Sequence, residues 1–195
     1  MSSLTRPLTL TDLALPRAGA LRNVLLVVAA SLVTAMAAQL AIRLPWTFVP
    51  VTGQTFAVLL VGAALGARRG FLAMALYLAE GSAGLPFFAG GDAGFAKLLG
   101  PSGGYLVAFP LAAWLTGALA ERGWDRRPLT TFAAMLLGSA VIFALGLAQL
   151  SRFVPASALV PSGLAPFVPG DLLKCAIAAG LCPAAWKLAG GPGAR

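Results

Sequence analysis

Long apolar runs, separated by short polar, glycine-rich or proline-rich segments, set the pattern of this chain. A helix needs about 20 predominantly apolar residues to cross a bilayer, and the run from residue 23 to residue 42 contains no charge at all. Prolines, glycines and charges mark the boundaries of the other runs. The pattern predicts an all-α membrane protein with six transmembrane helices, over residues 23–42, 51–67, 70–85, 103–120, 129–150 and 170–188.

Two of the connecting segments are long. Residues 87–102 are rich in glycine, and residues 152–169 contain four prolines, so both segments are predicted to be non-helical. The expected organisation is a cytoplasmic N-terminal segment over residues 1–21, a six-helix membrane domain over residues 22–188 and a cytoplasmic tail over residues 189–195.

The composition agrees with a membrane location and excludes several chemistries. The chain is 59% hydrophobic and 10% charged, whereas soluble domains are about 45–50% apolar and about 25% charged. It contains no histidine, which excludes Ser-His and Cys-His hydrolases and most catalytic zinc sites. No glycine-rich segment continues into the Gly-Lys-Ser/Thr of an ATP-binding loop. A membrane enzyme or protease that uses Ser102 stays open as an alternative.

The net charge of +8 is distributed as a topology signal. The basic residues occur singly or in pairs between apolar runs, unlike the clustered arginines and lysines of a nucleic-acid-binding face. If the N-terminus is cytoplasmic, 10 of the 14 basic residues fall on the cytoplasmic side, as the positive-inside rule requires. Both termini are therefore predicted to be cytoplasmic. The four basic residues left on the outer side are Arg43, Lys97, Arg152 and Lys174.

The predicted topology brings three helix N-termini to the outer face. The second, fourth and sixth helices begin next to Pro50, Pro101 and Pro169, and each would run from outside to inside. A helix N-terminus favours anions within its first turn. Three such ends around one vestibule predict a site for an anionic solute that arrives from outside.

Asp171 and Lys174 are the clearest candidates for that site. At positions i and i+3 they share one face of the sixth helix, and ionisable groups at membrane depth mark functional sites by default. The carboxylate can accept N–H groups, and the ammonium can donate to an anion. The alternatives are an intrahelical ion pair and an outward, snorkelling Lys174.

Further polar and aromatic residues lie at a similar depth. Glu80, Gln54 and Tyr105 are candidates to line the same vestibule, with water contact for Glu80 and interhelical hydrogen bonds for the other two as alternatives. Trp46, in the loop after the first helix, is either an interfacial belt residue or part of an apolar lid.

The first helix carries a row of small residues. Ala30, Thr34 and Ala38 recur every four residues, and such rows allow another helix to approach closely. Either a neighbouring helix of the same chain or a separate membrane subunit can use this face.

Four motifs resemble those of the BioY family, in the order in which that family has them. They are VPVTGQTF at residues 49–56, GLPFFAGG at 84–91, LGPSGGY at 99–105 and PGDLLK at 169–174. The resemblance extends over most of the chain, from about residue 22 to residue 188.

The resemblance implies a biotin-specific substrate-binding (S) component of an energy-coupling factor (ECF) transporter in the bacterial plasma (inner) membrane. It implies the S-component fold of six helices with cytoplasmic termini, and a loop between the first two helices that closes over biotin. A transmembrane T component and two ABC ATPases would supply the energy, although some members are thought to work alone. No cofactor is implied, ATP acts only through partner subunits, and no chemistry is performed on the vitamin. An S component for a different small vitamin is an alternative.

The family's Asp-x-x-Lys motif falls on Asp171 and Lys174. The resemblance then implies that Lys174 binds the valerate carboxylate of biotin and that Asp171 accepts its ureido N–H groups. Tyr105, Phe87 and Trp46 are expected to supply the walls around the bicyclic ring system.

Two departures from the family pattern affect this assignment of residue roles. The strict Ala-x-x-x-Ala docking pattern occurs in the first helix only at Ala37 and Ala41, so the row through Ala30 is a looser match. Where some relatives have a polar amide after Gly-Leu-Pro, this chain has alanine and two glycines. Glu80 or Gln54 would then share the ureido contacts.

Overall fold

The computed structural model describes residues 9–15 and 19–190. Much of the predicted N-terminal segment and residues 191–195 of the predicted tail lie outside the described residues. Two short antiparallel strands pair Ala41 with Thr52 and Ile42 with Val51. Within the described ranges the elements are α1 (Leu10–Ala14), α2 (Ala20–Gln39), β1 (Ala41–Ile42), β2 (Val51–Thr52), α3 (Gln54–Leu65), α4 (Ala67–Ser82), α5 (Ala96–Leu99), α6 (Gly103–Ala120), α7 (Pro128–Leu150), α8 (Ala156–Gly163) and α9 (Val168–Leu188).

The helices α2, α3, α4, α6, α7 and α9 occupy the six predicted spans, and α6 has the predicted bounds. The bounds of α2, α3 and α4 differ from the predicted bounds by up to three residues. Strand pairing takes Val51 and Thr52 out of α3. Gly66, at φ +84, separates α3 from α4 in a single residue, so Arg68 and Arg69 lie inside α4 instead of before it.

By length and hydropathy, the described residues contain four stretches able to cross a membrane. Three are α2, α6 and α7, and the fourth is the stretch from Ala156 to Leu188 that joins α8 and α9. The helix α3 is apolar but only 12 residues long. The chain is thus a mostly helical, multi-pass membrane protein.

The prediction that residues 87–102 and 152–169 are non-helical is wrong, because the single turn α5 forms in the first segment and α8 in the second. Pro155 lies outside the helix as its N-terminal flanking residue, where proline costs no intrahelical hydrogen bond. Pro161 does lie inside α8. Ser162 Oγ donates to Ala158 O at 2.7 Å, so one backbone carbonyl of this short helix accepts a hydrogen bond from a side chain.

The core of the bundle is α6, which packs against α3, α4 and α7 and is buried over most of its length. Glycines allow the backbones to approach. A Cβ atom at Gly62 in α3 would lie 2.4 Å from Ala113 O, and one at Gly104 would lie 2.3 Å from Leu145 O in α7. Only glycine permits such distances, so these contacts determine how the helices pack around α6.

The small-residue row on α2 is turned into the bundle. Ala30, Thr34 and Ala38 are all buried, and Thr34 Oγ1 lies 3.8 Å from Met74 Sδ in α4. The chain itself therefore covers this face, which corresponds to internal packing and leaves these residues inaccessible to a separate subunit in this structure.

Asp12 ties α1 to the bundle. Its carboxylate lies 2.9 Å from Arg22 in α2 and 2.8 Å from Arg69 in α4. Burial acts to raise the pKa of Asp12, but the hydrogen bonds from Arg69, Thr9 and Arg22 outweigh burial and lower it. Every terminal nitrogen of Arg69 is occupied in this way by Asp12 or Thr9.

A buried carboxylate, Asp125, joins the α6–α7 turn to α9. Trp186 Nε1 donates to Asp125 Oδ2 at 2.6 Å. Burial raises the pKa of Asp125 to about 6, in spite of that hydrogen bond. Between about pH 4 and pH 6 the unfolded chain has therefore released this proton while the folded protein still holds it.

We expect the stability of the wild type to fall relative to Asp125→Asn as the pH rises through this window, by up to about 3 kcal/mol. The amide of the variant still offers an oxygen to Trp186 but does not titrate. The measurement is the apparent melting temperature of both proteins in detergent, from about pH 4.5 to about pH 7.5. A difference between the two proteins that does not change with pH would contradict this assignment.

Candidate solute-binding site

A cavity of about 670 Å³ lies where the N-terminal ends of α3, α6 and α9 meet. This volume is within the range of about 300–1,000 Å³ that is typical of small-molecule sites. The β1–β2 hairpin, with its connecting loop, and the segment between α4 and α6 complete its walls. The three proline-flanked helix ends thus surround one vestibule, in the arrangement that the sequence predicted.

Asp171 and Lys174 both line this cavity, but they do not form an ion pair with each other. Lys174 Nζ donates to Thr52 O at 2.7 Å and to Thr55 Oγ1 at 2.9 Å. The Asp171 residue is 6% exposed, and its Oδ2 atom lies 4.0 Å from Cys175 Sγ. The lysine is thus held inward against the hairpin, which is neither of the two alternatives weighed from the sequence.

The pair presents a donor and an acceptor side by side. An ammonium has three N–H donors, and two of those of Lys174 are used by Thr52 and Thr55. The third N–H of Lys174 and the Asp171 oxygen that does not accept from Cys175 Sγ can contact a solute in the cavity. This arrangement suits a group in which a carbonyl oxygen lies next to an N–H, such as an amide, a lactam or a ureido ring.

Gln54 lines the cavity as predicted, and its amide is held at both ends. Thr52 Oγ1 donates to Gln54 Oε1 at 2.9 Å, and Gln54 Nε2 donates to the hydroxyl of Tyr77. That hydroxyl donates in turn to Phe87 O at 2.9 Å. This series of hydrogen bonds links the hairpin, α3, α4 and the segment that follows α4, so Gln54 also positions the walls of the cavity.

Aromatic rings form one wall. Tyr105 lines the cavity, and its hydroxyl donates to Gly163 O of α8 at 2.8 Å. The Phe167 ring lies 6.3 Å from the Tyr105 ring and 6.4 Å from the Phe143 ring, measured between centroids. Phe109 completes this wall. Three of these rings were not predicted, because a phenylalanine in an apolar helix gives no signal of its own.

Three predicted residues do not line the cavity. Trp46 is 64% exposed in the hairpin loop. Glu80 lies in the last turn of α4, where its Oε2 atom is buried and has no hydrogen-bond partner among the described residues. The third is Phe87, because its neighbour Phe88 lines the cavity instead. Successive residues of an extended segment point to opposite sides, and it is Phe88, with extended φ and ψ, that turns into the cavity and packs on Gly81.

A cluster of charges on the cavity wall, formed by Arg43, Asp92 and Lys97, was missed as part of the site. Lys97 Nζ lies 2.8 Å and Arg43 Nη2 3.7 Å from the same oxygen of Asp92. All three line the cavity and are partly exposed to solvent, which places them at its mouth. Two cations against one anion leave the mouth with a net positive charge.

The chain matches the BioY family over residues 6–191. It is 40% identical over 130 residues to the probable biotin transporter BioY of Pyrococcus horikoshii, covering 67% of this chain and 76% of that protein. It is 34% identical over 160 residues to the biotin transporter BioY of Rhizobium etli, covering 77% and 84%. It is 37% identical over 170 residues to that of Rhodobacter capsulatus, covering 80% and 88%.

Its fold is similar to a solved structure as well. The crystal structure of the S-component for biotin from an ECF-type ABC transporter superposes with a TM-score of 0.78 at 25% sequence identity. The match covers 86% of this chain and 92% of that chain. With the family match over nearly its whole length, the chain belongs to the BioY family.

Proposed function

We propose that this chain binds biotin and mediates its uptake across the bacterial inner membrane, as the substrate-specific component of an ECF-type ABC transporter. The names of its relatives support this function. The observation that carries the proposal is the placement of Asp171 and Lys174 side by side on the wall of a cavity. Their free donor and acceptor match the carbonyl and N–H of the ureido ring.

The orientation of the vitamin follows from its length. Asp171 and Lys174 lie one helical turn apart, with Cβ atoms about 5–6 Å from each other, whereas four methylene groups separate the carboxylate of biotin from its ring system. The two residues therefore act on the same end of the molecule. Lys174 donates to the ureido oxygen and Asp171 accepts a ureido N–H, which replaces the expectation that Lys174 binds the carboxylate.

The carboxylate then points to the mouth of the cavity, where Arg43 and Lys97 supply cations. In this orientation the rings of Tyr105, Phe109 and Phe167 pack against the bicyclic system and the methylene chain. Gln54 keeps the hairpin and α3 in position around the ureido end. Glu80 takes no part, since it does not line the cavity.

We assign six spans to α2, α3, α4, α6, α7 and α9, with both termini in the cytoplasm. At 1.5 Å per residue, α3 is about 18 Å long and α4 about 24 Å, both shorter than the hydrocarbon core of about 30 Å. The hairpin completes the outer part of the path before α3. Since the sequence contains no ATP-binding loop, we assign energisation to a T component and ABC ATPases.

Calorimetric titration of the purified full chain with biotin tests the proposal directly. We expect saturable binding at one site, and we expect other small vitamins to compete poorly. Absence of heat on addition of biotin, with a folded protein, would contradict the function. Tighter binding of another vitamin would keep the transporter class and replace the solute.

The proposed orientation predicts the effect of the double variant Arg43→Gln/Lys97→Gln. Because both side chains are partly exposed, their contribution to carboxylate binding is about 1 kcal/mol, so biotin affinity should fall about fivefold. Biotinamide, which lacks the carboxylate, should bind equally to variant and wild type. The matched control is Arg152→Gln/Lys187→Gln. If the double variant weakens biotin and biotinamide equally, the carboxylate does not lie at the mouth.

A further inference from the structure

A groove between α4 and α6 lies at the other end of the bundle from the solute cavity. It encloses about 630 Å³ and is lined by Ala67, Arg68, Phe71, Leu72, Leu111, Trp114 and Glu121. The first turns of α4 and the second half of α6 form its walls, whereas the solute cavity uses the first half of α6. The two sites share no residue.

The walls of the groove are apolar and open to the membrane. Phe71, Leu72, Leu111 and Trp114 are 38%, 46%, 45% and 50% exposed. In a multi-pass membrane protein, half-exposed side chains on the outside of the helices face acyl chains. Tryptophan is enriched where the hydrocarbon meets the headgroups, and Trp114 lies on the side of the groove nearer the end of α6.

The rim of the groove carries one cation and one anion. The guanidinium of Arg68 is exposed and has no ion pair or hydrogen bond within residues 9–15 and 19–190. Glu121 Oε1 accepts the backbone N–H of Ala67 at 2.9 Å, which fixes the carboxylate beside the N-terminus of α4. Its second oxygen stays available. The neighbouring Arg69 is committed to Asp12 and does not contribute.

We propose that this groove binds a phospholipid whose headgroup carries both a phosphate and a primary ammonium, as in phosphatidylethanolamine. Arg68 donates to the phosphate in a charge-assisted hydrogen bond, the ammonium donates to Glu121, and an acyl chain lies along Phe71, Leu111 and Trp114. A choline headgroup has no N–H to donate to Glu121. An anionic headgroup without an amine places only negative charge beside that carboxylate.

The experiment uses the purified full chain in detergent and three dioleoyl phospholipids that differ only in the headgroup: ethanolamine, choline and glycerol. Lipid retention is measured by native mass spectrometry, and the apparent melting temperature by light scattering. We expect dioleoylphosphatidylethanolamine to be retained best and to raise the melting temperature most. Arg68→Gln and Glu121→Gln should each weaken its retention about threefold to tenfold, and Arg127→Gln, an exposed arginine outside the groove, should not.

Equal retention of the ethanolamine and choline lipids, or wild-type retention by Arg68→Gln, would overturn the proposal. A photo-crosslinking residue at Leu72 distinguishes the occupants in native membranes, since a lipid adduct supports the proposal and an adduct with another protein overturns it. Biotin affinity is measured on the same samples. We expect Arg68→Gln to keep wild-type affinity, because the groove is separate from the solute cavity.

Discussion

Replacing Lys174 with methionine is expected to abolish measurable biotin binding, with a loss in affinity of about a hundredfold or more. The variant keeps a side chain of similar length but removes all three N–H donors. The ureido oxygen then lacks its donor, and Asp171 stays in the cavity wall without a neighbouring cation. Thr52 O and Thr55 Oγ1 also lose the ammonium that now lies 2.7 and 2.9 Å from them. Calorimetric titration with biotin measures the loss.

A matched control is Lys187→Met, which removes an exposed lysine from the other end of the same helix. Its affinity for biotin should equal that of the wild type. Thr55→Val removes only one of the contacts of Lys174 and should give an intermediate loss. If Lys174→Met unfolds at the temperature of the wild type and still binds biotin as tightly, the assignment of Lys174 to the site is wrong.

Gly104→Ala is expected to give a large loss of stability. The added Cβ would lie 2.3 Å from the backbone oxygen of Leu145, and a backbone atom cannot move aside as a flexible side chain can. Such overpacking costs about 1–3 kcal/mol or more. Since Tyr105 follows directly and lines the cavity, biotin affinity should fall as well. The apparent melting temperature and the biotin titration measure the two effects.

Gly180→Ala is the matched control, because a Cβ there meets no atom within 4 Å. Gly180 lies inside α9, and alanine is more favourable than glycine in a helix interior by about 0.5–1 kcal/mol. The two variants should therefore change the melting temperature in opposite directions. Equal destabilisation by both would mean that the close approach of α6 and α7 is not what makes Gly104 necessary.

Hydropathy and proline positions predicted α2, α6, α7 and α9 because each lies in a long apolar stretch of the sequence. The same signals could not predict the β1–β2 hairpin, since strands of two residues have no periodicity to detect. They also failed at α8. The four prolines of residues 152–169 argue against a helix, but Pro155 lies just before α8 and does not interrupt it. The hairpin provides the Thr52 carbonyl that binds Lys174, and α8 provides the Gly163 carbonyl that binds Tyr105. Both elements that were not predicted therefore hold residues of the cavity in position.

Sequence reasoning predicted the depth of site residues better than the direction of their side chains. Asp171, Lys174, Gln54 and Tyr105 line the cavity, whereas Glu80 has a similar depth but does not. The charge count contained a further signal. Of the four basic residues that the topology rule left on the outer side, Arg43, Lys97 and Lys174 line the cavity. The basic residues that the positive-inside rule left on the outer side were thus the best sequence signal for the residues that line the cavity.

The contact between Lys174 and Thr52 couples solute binding to the position of the hairpin. One ammonium group holds the hairpin and, in the proposed orientation, also donates to the solute. By thermodynamic reciprocity, the factor by which the closed hairpin raises solute affinity equals the factor by which the solute favours the closed hairpin. Under the proposed function, displacing the hairpin therefore lowers the affinity for the solute without any contact to the solute itself.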